Sequence, residues 1–113
     1  MNFDFAIIDG DHKFDSVFID FYYADLILNQ KGYVLFYDSW MQSIQTVCSW
    51  IKNNKKNYKL IKIPINNLIM FQKMGIDNRK WSHFKSFFTL KSIFTQKLFN
   101  LFNNKVPPFL FTL

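Results

Sequence analysis

Residues 3–9 read FDFAIID and form an almost continuous apolar run, which ends abruptly in Asp9-Gly10-Asp11-His12. An apolar run without polar alternation is typical of a strand that is buried on both faces, as in a parallel sheet. A second such run, YVLFY at residues 33–37, also ends in an acid, Asp38. One helix fits between the two runs, so they predict a right-handed strand–helix–strand unit whose two strands are parallel neighbours.

The connecting segment, residues 15–29, is predicted to be a helix because apolar side chains recur there at helical spacing. These apolar positions are Val17, Phe21, Ala24 and Leu28. Asp15 or Ser16 can cap the first turn of this helix. Lys31-Gly32 is expected to end it, with Gly32 in the left-handed conformation.

A second helix is predicted over residues 41–54, with Ser39 as its cap and an apolar stripe formed by Ile44, Val47, Cys48 and Ile51. Two further strands are predicted at residues 58–64 and 67–73. Only two residues separate these strands, which forces an antiparallel hairpin. The predicted fold class for residues 1–75 is therefore α/β, in the order strand, helix, strand, helix and antiparallel hairpin.

Residues 76–113 are predicted to form a separate basic, Phe-rich helical tail. Within it, residues 81–103 could form an amphipathic helix with Trp81, Phe84, Phe88 and Phe99 among its apolar positions. Such a helix could cover the sheet, form a dimer contact or lie at a membrane interface. Packing in the core or in an oligomer is favoured, because Phe-rich helices usually bury their apolar face in protein.

Charge is divided unevenly along the chain. Residues 1–50 hold seven Asp against two Lys, whereas residues 51–113 hold twelve Lys and Arg against one Asp. The basic residues are scattered singly and accompany no nucleic-acid motif, which predicts a solvated surface and no nucleic-acid partner.

Cys48 is the only cysteine, so it cannot form a disulfide within the chain, which is typical of a protein in a reducing cytosol. We find neither a signal-peptide pattern nor an apolar run long enough to span a bilayer, so a cytoplasmic location without membrane insertion is expected.

The acidic tips of the first two predicted strands carry the functional prediction. Ligands in an open α/β sheet bind beyond the carboxyl ends of the parallel strands, and both Asp9 and Asp38 are expected there. Each Asp could instead cap the helix that follows it. Neighbouring strands lie about 4.8 Å apart, so the two carboxylates could share one divalent cation such as Mg²⁺. Asp11 or His12 would then be in reach to accept a proton from a substrate hydroxyl.

Residues 3–87 resemble the second half of class I S-adenosylmethionine-dependent methyltransferases, and within them the subgroup that includes macrocin-type O-methyltransferases. The resemblance rests on Ile8-Asp9-Gly10-Asp11-His12, Phe14, Asp20, the segment LILNQKG, Tyr37-Asp38, NLIMFQKM as the family's last antiparallel strand, and the tail segment DNRKWSHFKSF. The resemblance implies a Rossmann-like doubly wound sheet, of which this chain supplies the C-terminal half. It also implies O-methyl transfer to a small-molecule or sugar hydroxyl, with or without metal assistance.

The same resemblance implies roles for four residues. Asp9 and Asp38 would be metal ligands, and Asp11 or His12 would be the base that deprotonates the acceptor hydroxyl. The cofactors implied are S-adenosylmethionine and, where a metal takes part, Mg²⁺.

Two features of the family are missing from this sequence: the glycine-rich loop near the methionine end of the cofactor and the acid that holds its ribose. Lys31-Gly32 also replaces the usual paired glycines. We therefore expect the chain to be a carboxyl-terminal portion that binds S-adenosylmethionine poorly or not at all by itself. A separately encoded N-terminal half, or a second copy of this chain, is the expected partner, and the first strand is expected to have an unpaired edge.

One alternative from another functional class is a non-catalytic interaction domain, in which the basic aromatic tail binds a protein or a membrane. A two-carboxylate hydrolase is a second enzymatic alternative, although the sequence offers it no partner nucleophile.

Overall fold

The structure is a computed structural model that describes residues 2–85 and residue 98. Six elements follow one another along the described chain: β1 (Phe3–Ile8), α1 (Phe14–Ile27), β2 (Leu28–Tyr37), α2 (Gln42–Asn54), β3 (Tyr58–Ile61) and β4 (Leu68–Lys73). This is the predicted order of strand, helix, strand, helix and hairpin, and it confirms the α/β class.

The four strands form one mixed sheet in the order β1-β2-β4-β3. β1 and β2 are parallel, with Ile7 opposite Leu35, as the strand–helix–strand prediction requires. β4 is antiparallel both to β2 and to β3, and Leu35 lies opposite Met70. β1 and β3 are therefore the edge strands of this sheet.

The core lies between one face of the sheet and the two helices. α1 contributes Val17 and Phe21, and every position of the predicted α2 stripe is buried. The Phe21 ring lies 6.1 Å from the ring of Phe36 and 5.3 Å from that of Tyr58, measured between centroids, so α1 packs across both β2 and the hairpin. Cys48 is fully buried in this cluster, which confirms its predicted packing role, and burial raises the pKa of its thiol.

The junction between α1 and β2 differs from the prediction. α1 ends at Ile27 and β2 begins at Leu28, because Leu28 pairs with Phe3 in the sheet instead of continuing the helix. The left-handed backbone belongs to Lys31, with φ of 71°, and not to Gly32. The register moves from Leu28 opposite Phe3 to Tyr33 opposite Phe5, so Lys31-Gly32 forms a bulge in β2.

Gly32 is nevertheless required, for a packing reason. A Cβ atom at this position would lie 2.8 Å from the carbonyl oxygen of Asn29 and 2.9 Å from the Leu28 side chain. The bulge therefore folds so tightly that only glycine fits beside it.

Neither predicted side-chain cap forms in the two described helices. α1 begins at Phe14 after Lys13, and α2 begins at Gln42 after Met41, in both cases without a capping hydrogen bond from a side chain. Ser39 is instead buried, and its hydroxyl donates to the carbonyl of Asn66 at 3.3 Å. The hydrogen bond between Ser39, after β2, and Asn66, before β4, is therefore more favourable than the predicted cap of α2 by Ser39.

The predicted helix over residues 81–103 does not begin at Trp81, because residues 81–85 form a turn followed by irregular backbone. The Asn54 side chain accepts from the Lys85 amide at 2.8 Å and donates to its carbonyl at 3.1 Å, which holds this segment against α2. Residue 98 is helical, and the rest of the predicted helix lies outside the described residues. Within the part of the chain that the structure covers, we find no helix of the length and apolarity needed to cross a bilayer.

Replacing Lys31 by glycine is expected to stabilise the fold by about 0.5–1 kcal/mol, because glycine adopts a positive φ without the steric cost that Lys31 carries. The free energy of unfolding from urea denaturation measures this effect. The matched control is Lys56→Gly at an exposed position without a positive φ, which is expected to be neutral or destabilising. Equal effects of the two substitutions would show that the backbone of Lys31 is not strained.

Candidate active site

Three polar side chains meet where the parallel strands β1 and β2 end. Asp9 directly follows β1 and Asp38 directly follows β2, and His12 lies in the loop that leads to α1. One donor atom from each of these three side chains lies within 4.8 Å of the other two. The structure thus brings both predicted acids and the predicted histidine to one edge of the sheet.

The closest contact in this group joins His12 and Asp38. The Nε2 atom of His12 lies 2.7 Å from Oδ2 of Asp38, and the two side chains are 44% and 28% exposed. The Asn67 side-chain amide donates to the other carboxylate oxygen at 3.3 Å. Hydrogen bonds from Asn67 and from His12 lower the pKa of Asp38, which keeps its carboxylate ionised as an acceptor. In neutral His12, a proton held on Nε2 by Asp38 leaves Nδ1 as the proton-accepting nitrogen.

The backbone around Asp38 fixes this geometry. Asp38 has a left-handed conformation with φ of 54°, which Asp tolerates better than most residues. Its carbonyl accepts from the Met41 amide at 3.0 Å, and the next amide, that of Ser39, donates to the Asn67 carbonyl at 3.3 Å. Ser43 at the start of α2 donates to the His12 carbonyl. The loop after β1, the turn after β2 and the start of β4 therefore hold one another in place.

Asp11 points to a different partner. Its carboxylate accepts from the Lys13 amide and from the Ser16 hydroxyl, both at 3.2 Å, and lies 3.5 Å from the Lys13 ammonium. The hydrogen bond from the Lys13 backbone is the main reason that its pKa is lowered. A carboxylate that is stabilised in this way is a weaker base, so of the two predicted base candidates the geometry favours His12.

The donor set fits a divalent cation. Two carboxylates and one imidazole within a few ångströms of each other are a reasonable ligand set for a metal such as Mn²⁺ or Zn²⁺, whereas Mg²⁺ prefers oxygen ligands alone. The sequence predicts Asp9 and Asp38 as metal ligands. It does not predict that His12 lies close enough to add a third donor.

The described residues provide a set of ligands for a metal ion but no comparable set of contacts for S-adenosylmethionine. The sequence has three glycines, which are separated by 22 or more positions and form no glycine-rich loop. No described strand other than β1 and β2 ends in an acid at this edge of the sheet. We therefore assign no cofactor contact to a residue of this chain.

Trp40 and Asn67 complete the surroundings of the site. Trp40 is half exposed two residues after Asp38. Asn67 escapes sequence reasoning, because only the pairing of β4 beside β2 places it next to Asp38. In the tail segment, Trp81 and Phe84 are exposed, and the interaction-domain alternative stays a prediction because most of the tail lies outside the described residues.

Comparisons with family models, with curated proteins and with solved structures found no match to this chain. The methyltransferase resemblance therefore depends on the motif residues and on the geometry described above.

Proposed function

We propose that this chain forms the acceptor-binding half of an S-adenosylmethionine-dependent O-methyltransferase. The observation that supports this proposal most strongly is the convergence of Asp9, His12 and Asp38 within 4.8 Å at the carboxyl ends of two parallel strands. The antiparallel β4 beside β2 supports it further, because the resemblance implies an antiparallel last strand. The proposed acceptor is a hydroxyl compound.

In the proposed reaction, His12 removes the proton of the acceptor hydroxyl. Asp38 holds the imidazole through Nε2, so that Nδ1 is the atom that accepts this proton. The ionised Asp38 also stabilises the imidazolium that results. Proton transfer by a positioned side chain typically contributes about 10²–10⁴-fold to a rate.

In the metal-assisted form of the proposal, Asp9 and Asp38 would hold a divalent cation, and His12 would act as the base and not as a third ligand. A bound cation would lower the pKa of the acceptor hydroxyl and neutralise its developing charge. Asn67 fixes one oxygen of Asp38, which leaves the orientation of that carboxylate defined in either form.

The cofactor would be held by further strands that join the sheet at β1. On the face of the sheet opposite the helices, Phe3, Phe5 and Ile7 of β1 are 45%, 49% and 57% exposed, and β1 is an edge strand. α1 likewise exposes Tyr22, Tyr23 and Leu26. Several exposed apolar side chains beside an unpaired strand edge are typical of an interaction surface. We propose that a separately encoded N-terminal half covers this surface, and a second copy of this chain is the alternative occupant.

Replacing Asp38 by asparagine is expected to weaken Mn²⁺ binding about tenfold or more, because a neutral amide is a poorer ligand than a carboxylate. Asparagine keeps the left-handed backbone accessible, so the turn itself is expected to survive. Mn²⁺ binding is measured by the loss of the free-ion signal in electron paramagnetic resonance.

The control for this experiment is Asp15→Asn, which removes an exposed carboxylate in the first turn of α1. Equal loss of Mn²⁺ binding in both variants would contradict a specific site at Asp38.

In the same samples, calorimetry with S-adenosylmethionine is expected to show no binding by this chain alone. Tight binding would overturn the proposed division of the enzyme into two halves.

A further inference from the structure

A pocket of about 270 Å³ opens at the end of the hairpin, where β3 gives way to β4. Its lining is mainly aliphatic and consists of Leu60, Ile61, Ile63, Ile65, Leu68 and Ile69. Lys62 and Asn66 are the polar residues of the lining. The pocket is therefore suited to an apolar group.

This pocket and the candidate active site share the turn at residues 66–67. Asn67 donates to the Asp38 carboxylate, whereas its neighbours Asn66 and Leu68 line the pocket. Leu68 also lies opposite Tyr37, the residue before Asp38. Asn67 therefore connects the two places: its side chain contacts Asp38, and its two chain neighbours line the pocket.

We propose, on the basis of the function proposed above, that this pocket binds the apolar part of the methyl acceptor, and that the acceptor is an aryl or alkyl alcohol with its hydroxyl on a short arm. A cavity of about 150 Å³ holds benzene, so this pocket accommodates one ring and a short chain. A sugar would leave several hydroxyl groups against aliphatic side chains and lose their hydrogen bonds to water. The pocket thus narrows the acceptor class expected from the sequence and disfavours sugars.

The first test uses 2-phenylethanol as the probe and methyl glucoside as the polar comparison, each titrated into the ¹⁵N-labelled full chain. 2-Phenylethanol is expected to shift the amide resonances of residues 60–63 and 65–69, and methyl glucoside is expected to leave them in place. Ile65→Asp is expected to weaken the response to 2-phenylethanol about tenfold, because it places a charge in the aliphatic lining. Ile65 is 52% exposed, so this variant is expected to fold.

The matched control is Ile76→Asp, at a position that is 78% exposed and lies outside the pocket, and it is expected to bind 2-phenylethanol as the wild type does. Shifts that occur elsewhere, equal binding of methyl glucoside, or equal loss in both variants would overturn the proposal.

A second measurement connects the pocket to the candidate active site. With Mn²⁺ added, the CH₂OH protons of bound 2-phenylethanol are expected to broaden more than its ring protons, and Asp38→Asn is expected to remove the difference. Stronger broadening of the ring protons would overturn the proposed orientation. If Mn²⁺ does not bind at all, the metal-assisted function fails, while the shifts at residues 60–63 and 65–69 still decide whether the pocket prefers apolar alcohols.

Discussion

Replacing Lys55 by methionine is expected to destabilise the protein by about 3 kcal/mol, because it removes the most buried cation of a charge network and leaves Asp25 and Asp77 with one cationic partner each. The Lys55 side chain is only 4% exposed, and its ammonium lies 2.9 Å from Asp25 and 2.8 Å from Asp77. Asp25 also accepts from the Tyr58 hydroxyl and pairs with Lys73. The network connects α1, the end of α2, the hairpin and the segment after it.

Chemical denaturation at pH 7 measures this effect on the free energy of unfolding. The control is Lys56→Met, the adjacent exposed lysine, which is expected to change stability by less than about 0.5 kcal/mol. Equal effects of the two substitutions would show that the ion pairs of Lys55 with Asp25 and Asp77 do not stabilise the fold.

The same network predicts the dependence of this effect on pH. Burial favours the neutral form of Asp25, but hydrogen bonds from Tyr58 and Lys55 outweigh it and lower its pKa. A hydrogen bond from Arg79 and another from Lys55 lower the pKa of Asp77. Acids with lowered pKa values stabilise the fold above their unfolded value of about 3.9, and this stabilisation is lost as the pH falls through the lowered values. The difference between wild type and Lys55→Met is therefore expected to shrink below about pH 4.

Replacing Phe21 by alanine is expected to destabilise the protein by about 3–5 kcal/mol, since it leaves a cavity at the centre of the core. Phe21 is 2% exposed, and its ring meets those of Phe36, Trp50 and Tyr58. Tyr22→Ala, at an adjacent position that is 59% exposed, is the control and is expected to have little effect on stability.

Alkylation of the buried Cys48 gives an independent measurement of the Phe21 effect. The thiol reacts only when the core opens, because it is buried and its pKa is raised. Alkylation is expected to be faster in Phe21→Ala than in Tyr22→Ala. Similar rates in the two variants would contradict a central packing role for Phe21.

The sequence predicts the part of this structure that depends on hydrophobic pattern and chain geometry. The apolar runs at residues 3–9 and 33–37 are both strands, and the short helical connection makes them parallel neighbours, so Asp9 and Asp38 meet at one edge. The antiparallel pairing of β3 and β4 is also as predicted, but the two-residue connection is wrong: β3 ends at Ile61, so residues 62–67 connect the two strands.

Features that depend on contacts between distant residues are not predictable from one sequence in this way. Ser39 faces the Asn66 carbonyl instead of capping α2, and Leu28 joins the sheet instead of continuing α1. In both cases a tertiary contact outweighs a local preference, and the same is true of Asn67 beside Asp38. These residues lie near the ends of elements, where the local preference is weak and several conformations have similar energies.

The positive φ of Asp38 has a consequence for how this protein can change over generations. A single base change in an aspartate codon yields asparagine or glycine among its products, and these are the residues that accept the same backbone at little cost. A lineage that no longer needs the carboxylate would therefore keep the shape of the turn after losing its chemistry. Genes descended from a common ancestor should accordingly show asparagine or glycine at this position more often than alanine or valine.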